Sequence, residues 1–301
     1  MKTYIIHTGT DLIIEGLSHL SADVKLINVR LKGVSRYLRA IHHKLRFPYY
    51  HFWGMFFFKH IEHNSLIIVF DSSFTRYNLK LLRERLPNSK IVFWYWNTVD
   101  NDKYLNLIRS TCSSIYSFDK LDCEKYNLKF IPQFYWNYKN LNEIKEFDIL
   151  FVGNVKNRLT NIENIYREFL ALGLNVFFYV TKSNPNDKSA YIDLKEDDIP
   201  YTEVVKLISK SKCILDLSKY GQSGLSLRPV ESLFFQIKLI TNNAHITEYD
   251  FFNENNICLI DDKKQDFRSF LNLKPKKNSE KIINKYHINN WLSKIISDES
   301  F

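Results

Sequence analysis

Two short stretches of this chain carry residues whose types and spacing suit a bound anion. In GQSGLSLRPVESLFFQIKLITNN (221–243), Ser223 and Gly224 form a turn, Ser226 is placed as an N-cap, and Pro229 falls where the first helical turn tolerates a missing N–H. Arg228 then lies beside a helix N-terminus, whose unpaired N–H groups attract anions, and its guanidinium adds a fork matched to phosphate oxygens. Leu233 and Phe234 face a core, and KLIT resumes as a buried strand ending in two asparagines. The same residues would also serve an ordinary loop–helix–strand connection with a surface arginine.

The second stretch, ILFVGNVKNRL (149–159), runs a strand into Gly153 and Asn154, after which Lys156 and Arg158 open a helix. Glycine at such a turn lets backbone N–H groups approach a phosphate, and the basic pair offsets its charge. Neither a Walker loop nor a three-glycine dinucleotide fingerprint is present, and a tight turn with surface bases would read the same way. Both stretches, however, place their loops at strand C-terminal ends of one domain, facing one crevice.

The elements that must position these loops alternate along the whole chain. Strand-like runs at 3–8, 24–29, 65–71, 90–97, 114–119 and 129–136 are separated by helix-like segments, including a basic, aromatic one at 33–61. Residues 137–146 are polar and lack apolar periodicity, so a linker is expected there. The pattern restarts with strands at 148–154, 175–181, 213–218, 238–243 and 256–261, and it ends in a helical tail over 280–296 anchored by Trp291 and Leu292. Short apolar strands alternating with helices predict two doubly wound α/β domains with a cleft between them. The expected bounds are 1–140, 147–279 and a tail at 280–301 packing back on the first domain.

Composition narrows the class. Of 301 residues, 45% are hydrophobic and 25% charged, and only 8 are Gly and 7 Pro, which excludes a disordered or low-complexity chain. The four cysteines, Cys112, Cys123, Cys213 and Cys258, show no metal-ligand spacing, so reduced thiols are expected. The net charge is +9, but lysine is spread along the whole chain and no nucleic-acid motif appears, so nucleic-acid binding is not expected. MKTYIIHTGTD turns polar too soon for a signal peptide, and FPYYHFWGMFFFKH (47–60) is too short and too broken to span a bilayer.

The order FDILFVGN…R, then YTEVVKLISKSKCILDLS, then GQSGLSLRPVESLFFQIKLITNN resembles the donor half of GT-B glycosyltransferases, most closely bacterial enzymes that build lipopolysaccharide, O-antigen or capsule. The resemblance covers roughly residues 147–262, and the N-terminal half matches in architecture only. It implies a GT-B fold of two Rossmann-like domains and transfer of a sugar from a nucleotide-sugar donor to a lipid-linked or lipopolysaccharide-type acceptor, without metal or other cofactor. Gly153, Asn154 and Arg158, with Lys156 beside them, match the first diphosphate loop. Gly224 and Arg228 match the second, with Ser223 beside them as a further donor-binding candidate, and Glu231 matches a glutamate that commonly holds the nucleotide ribose. Retaining members often carry a second glutamate eight positions earlier, where this chain has Ser223, so stereochemistry stays open. A nucleotide-binding or scaffold protein without turnover is the alternative on the same fold.

Within that reading the N-terminal half supplies the acceptor side. An inverting transfer needs a carboxylate or histidine to take the acceptor proton. Asp71 and Asp11 are the leading candidates, with His7, Asn97 and Asp119 also at strand ends; Asp71 and Asp119 would equally serve as helix caps. Asp100-Asn101-Asp102 resembles a metal-binding Asp-X-Asp, but helix capping explains it more simply.

Arg30, Lys32, Arg36, Arg39, His42, His43, Lys44 and Arg46 crowd beside the aromatic run. This pairing fits an anionic membrane surface, so a cytoplasmic protein held peripherally on the inner face of the cytoplasmic membrane is expected. A buried aromatic helix with a solvated basic flank is the competing reading. Co-sedimentation with vesicles decides it: binding should require anionic lipid and should fall when Arg36, Arg39 and Arg46 become Glu. Equal binding to neutral vesicles refutes the expectation.

Overall fold

The computed structural model describes residues 1–9, 11–20, 23–30, 37–38, 41–42, 52–100, 102–136, 144–219, 221–260 and 265–300. Two compact units divide the chain: Met1–Pro132 with Ile288–Phe301, and Gln133–His287. Most of the expected linker (137–143) lies outside the described residues, as does most of the basic segment over 31–51.

The first unit is a six-stranded parallel sheet in the order β2-β1-β3-β4-β5-β6. Its strands are β1 (Thr3–His7), β2 (Val24–Asn28), β3 (Leu66–Phe70), β4 (Lys90–Tyr95), β5 (Ser114–Ser117) and β6 (Lys129–Phe130). LIIVF in β3 and IVFWY in β4 are continuous apolar runs, as a strand covered on both faces requires, and both are buried; β2 at the edge is half-exposed. Its helices are α1 (Asp11–Ser18), α2 (Phe52–Phe58), α3 (Ser73–Arg85), α4 (Leu105–Thr111) and α5 (Lys120–Tyr126). Helix α3 begins in a reciprocal capping box between Ser72 and Thr75, and its Phe74, Leu79 and Leu82 pack with Ile67, Val69, Phe93 and Tyr95 of the sheet.

The second unit repeats the plan in the order β12-β11-β10-β7-β8-β9, again all parallel. It comprises β7 (Phe147–Asn154), α6 (Leu159–Ala171), β8 (Val176–Thr181), β9 (Leu194–Lys195), α7 (Tyr201–Ser209), β10 (Ser211–Asp216), α8 (Leu227–Phe235), β11 (Lys238–Thr241) and β12 (Ile257–Leu259). Helices α9 (Phe267–Asn272) and α10 (Glu280–Lys285) follow. Two parallel sheets with interleaved helices make the fold class the expected one, two Rossmann-like α/β domains of GT-B type.

Two local expectations need correction. The strand over 129–136 stops at Phe130, and beyond it only Tyr135 forms a bridge, to His287. The single helix over 280–296 is two, α10 and then α11 (Ile288–Asp298), because the chain turns at Tyr286, whose carbonyl accepts the Tyr135 N–H at 2.8 Å. Helix α11 belongs to the first unit, where Trp291 packs on Trp94 and Phe70 at ring distances of 5.1 and 5.7 Å.

Helix α2 lies on the first unit's core through Trp53 and Phe57. A glycine within it is explained by what it covers: a Cβ at Gly54 would sit 2.3 Å from Asn78 Oδ1 and 2.8 Å from Leu81 Cδ2. Asn78 is itself fully buried, its amide donating to the Phe74 carbonyl at 2.9 Å, so it has little room to move. Alanine favours a helix interior by about 1 kcal/mol over glycine, but overpacking a filled site costs about 1–3 kcal/mol. Gly54→Ala should therefore lower the thermal midpoint; an unchanged or raised midpoint would show that the helix is not seated on Asn78.

Candidate functional site

In each sheet the strand order reverses beside the strand that enters first, between β1 and β3 in one unit and between β7 and β10 in the other. Open parallel sheets bind ligands at strand C-terminal ends at this point, because the connections on either side run in opposite directions and leave a crevice. The two anion-friendly loops of the sequence both lie at the β7–β10 reversal.

On the β7 side, Asn154 ends the strand and ties down its loop. Its amide donates to the Lys182 carbonyl at 2.8 Å and to Thr181 Oγ1 at 3.2 Å, while its Oδ1 accepts the Lys156 N–H at 3.1 Å. Lys156 and Asn157 both take left-handed φ, 37° and 61°, a conformation unusual for side-chain-bearing residues. The turn leaves the Lys156 side chain in solvent and brings Arg158 inward. The Arg158 guanidinium donates to the Asn154 carbonyl at 3.3–3.4 Å and, across the reversal, to the Leu217 carbonyl beyond β10. Burial lowers its pKa, against an opposing pull from Asp216. All its hydrogen bonds go to backbone carbonyls, and among the described residues it has no carboxylate partner within ion-pair distance. Gly153 makes room for this arrangement, since a Cβ there would press on Phe151 at 3.1 Å and touch Arg158 at 3.6 Å.

On the β10 side, Asp216 is buried at the strand end and accepts from Ser226 Oγ at 2.7 Å, Thr241 Oγ1 at 2.8 Å and Ser218 Oγ at 3.1 Å. Ser226 is the α8 N-cap and accepts the Arg228 N–H at 3.2 Å. Arg228 reaches back across the reversal, donating to the Val152 carbonyl at 3.2 Å, and forms a short ion pair with Glu231 Oε2. Glu231 is 0% exposed, and its other oxygen accepts the Tyr201 hydroxyl at 2.7 Å. The Tyr201 oxygen lies 2.5 Å from the Tyr135 hydroxyl, which must be the donor because Tyr201 spends its own proton on Glu231. Burial, then the Glu231 charge, pushes the Tyr201 pKa well up, so the phenol stays protonated. Burial alone would lower the Arg228 pKa, but the Glu231 carboxylate outweighs it and holds the guanidinium charged.

The structure thus gathers Gly153, Asn154, Arg158, Arg228 and Glu231 around one reversal. Ser223 and Gly224 are placed differently from an open phosphate-facing turn: both are buried, and the Gly224 carbonyl is gripped by Gln222 at 2.9 Å and by Asn243 at 3.3 Å. Four contributors were not read from the sequence as site residues. Asp216, at the end of CILD, was legible as a strand-end carboxylate facing serines; Asn243, the second asparagine of LITNN, locks the loop; Tyr201 and Tyr135 gave no local signal.

In the first unit the β1–β3 reversal holds His7 and Asp71. Asp71 carries a bidentate pair with Arg76, at 2.6 and 2.8 Å, and its side chain is only 5% exposed. Arg76 also reaches Asp102 at 3.2 Å, and Tyr95 donates to Asp102 at 2.8 Å. Burial raises the Asp71 pKa in spite of Arg76. Asp102 is therefore committed to Arg76, Tyr95 and the Tyr104 N–H, and among the described residues no group of His, Cys, Asp and Glu is arranged to hold a metal. Asp119 caps α5, and Asn97 is exposed. Asp11 opens α1, but its side chain lies outside the described ones.

His7 is 2% exposed and accepts the Gly9 N–H on Nδ1 at 3.1 Å. Burial drops its pKa from the usual 6.5 to about 4. The unfolded chain therefore takes up the proton first as pH falls, so the stability from a neutral His7 is complete above 6.5 and is lost between 6.5 and 4. The loss should reach on the order of 3 kcal/mol, and His7→Asn, which keeps an acceptor for Gly9, should remove most of it. Denaturant unfolding at pH 7 and pH 5, between which about 2 kcal/mol of that loss accrues, measures both chains; an equal loss in the two would show that His7 is not the group responsible.

Neither known protein-family profiles nor curated protein sequences match this chain. Among solved structures it is similar to the N-terminal domain of a Candida albicans trehalose-6-phosphate phosphatase, with a TM-score of 0.54 and 11% identity over 98% of this chain and 88% of that one. It is also similar to a DNA-modifying β-glucosyltransferase, whose structure was determined in the presence and absence of uridine diphosphoglucose, with a TM-score of 0.53 and 14% identity over 99% of both chains. At these identities the likeness is one of fold, and it extends over nearly the whole chain.

Proposed function

We propose that this protein is a glycosyltransferase that moves a sugar from a nucleotide-sugar donor to a lipid-linked, lipopolysaccharide or capsule acceptor. The observation that carries the reading is the convergence at the β7–β10 reversal of two guanidinium groups and the N-terminus of α8. Among the described residues Arg158 has only carbonyl partners, and Arg228 keeps 20% of its side chain exposed. Fixed cations and the positive end of a helix dipole at a sheet reversal favour a diphosphate, and they would stabilise the charge that develops as the nucleotide leaves. Arg158, Arg228 and the helix terminus take that role without a metal. The fold neighbour crystallised with uridine diphosphoglucose supports a nucleotide sugar as the donor class.

The first unit supplies the acceptor side of the proposal. Asp71 is the carboxylate proposed to take the acceptor proton, with Asp11 second; Asp71 would do so by giving up one of its two hydrogen bonds from Arg76. The acceptor class follows the resemblance of residues 147–262 to bacterial envelope-glycan enzymes. A peripheral site on the cytoplasmic membrane face is supported by five exposed apolar side chains in one stretch of sequence, Tyr37, Leu38, Ile41, Met55 and Phe56, with Lys59 lying over the Phe56 ring.

A thermal-shift panel of UDP, GDP, CMP and dTDP tests donor binding, because a specific nucleotide stabilises the fold by mass action. Turnover is tested by sugar transfer to a lipid-linked acceptor. Arg228→Ala should cut that rate by roughly 100-fold, as for loss of one preorganised donor to a developing anion. Transfer at the parent rate refutes the site, and nucleotide binding without any hydrolysis or transfer favours a non-catalytic binding protein.

A further inference from the structure

We infer that Glu231 is a positioning residue: it aims Arg228 at the donor diphosphate and is itself held by Tyr201 and Tyr135. The inference rests on the donor site proposed above and departs from the ribose contact that the resemblance implies.

The geometry behind it is a continuous hydrogen-bonded chain within the second unit. Tyr135 donates to Tyr201, Tyr201 to Glu231 Oε1, Arg228 to Glu231 Oε2, and Arg228 again to the Val152 carbonyl of β7. Glu231 has no exposed surface, so a ribose hydroxyl has no path to it while these partners are in place. Arg228, by contrast, reaches solvent. A guanidinium has five N–H donors in a rigid fork, and among the described residues only Glu231 and Val152 take any of them, which leaves others to face an anion. A long arginine side chain would otherwise sample many rotamers, and fixing two of its donors removes that freedom before the ligand arrives. The fixed end needs a charged partner because a buried guanidinium bound only to carbonyls is costly, and the carboxylate in turn needs the tyrosine hydroxyl to satisfy its second oxygen. Ring contacts hold the far end: Tyr135 stacks on Trp136 at 4.5 Å and meets Phe234 of α8 edge-on at 5.1 Å.

Calorimetric titration of the full-length protein with inorganic pyrophosphate, UDP and GDP separates the two roles. The variants are Arg228→Ala, Glu231→Gln, the double variant and Tyr201→Phe, each checked for folding by circular dichroism and melting. If Glu231 acts through Arg228, Glu231→Gln should weaken pyrophosphate and nucleotide by the same factor, about tenfold. The double variant should then bind no worse than Arg228→Ala. Tyr201→Phe removes one hydroxyl and keeps the ring, so it carries the test if Glu231→Gln fails to fold; it should weaken both ligands in parallel. A loss confined to the nucleotides would place Glu231 on the ribose and overturn the inference. Additive losses in the double variant would also overturn it, as would tighter pyrophosphate binding by Glu231→Gln, which would mean that Glu231 only dilutes the site's charge. If the parent chain binds none of the three probes, the donor site itself is refuted, an outcome distinct from any pattern among the variants.

Discussion

A single buried carboxylate organises the second unit's site. Asp216 sits at the end of β10 and takes hydroxyl hydrogen bonds from Ser218 in the following loop, Ser226 at the start of α8 and Thr241 at the end of β11. Three separate elements are thereby held at one point. Ser226 gives its proton to Asp216 and so turns its lone pairs to the Arg228 N–H, which sets where α8 begins. Arg228 leaves the helix at that point, and its reach to Val152 and Glu231 follows from the same anchor.

The two arginines solve opposite halves of one problem. Arg158 starts on the β7 side and is held by a carbonyl on the β10 side; Arg228 starts on the β10 side and is held by a carbonyl of β7. Each spans the gap between the central strands, so the reversal is bridged by two cations. Burying charge is costly, and the two are compensated differently: Arg228 by Glu231, Arg158 by carbonyl oxygens with Asp216 at longer range. The less compensated of the two is the one an anion would stabilise most.

The first unit handles its charges in another way. Asp71, Arg76, Asp102 and Tyr95 form a closed network in which every carboxylate meets a donor. The cap of α3 comes from Ser72 and Thr75, which leaves Asp71 for Arg76. His7 avoids the cost of a buried charge by staying neutral, with Gly9 fixing which ring nitrogen is free of hydrogen.

Fold class was legible because hydrophobic pattern is local. Runs such as LIIVF and KIVFWY can only be strands covered on both faces, and their alternation with amphipathic helices admits little else. The two anion-friendly loops were legible for the same reason: an N-cap serine, a proline and an arginine announce a helix start, and Gly153-Asn154 announces a strand end. What the sequence could not decide was partnership between distant residues. Whether Glu231 faces a ligand or is buried depends on Tyr201, thirty positions away, and on Tyr135, sixty-six further from Tyr201. Whether Asp71 is free or paired depends on Arg76 turning back along α3 and on Asp102 arriving from beyond β4. The helix over 280–296 breaks because the Tyr286 carbonyl is taken by Tyr135. Local propensity chooses the elements; burial and hydrogen-bond satisfaction, which exist only once the sheets are assembled, choose what each polar side chain is for.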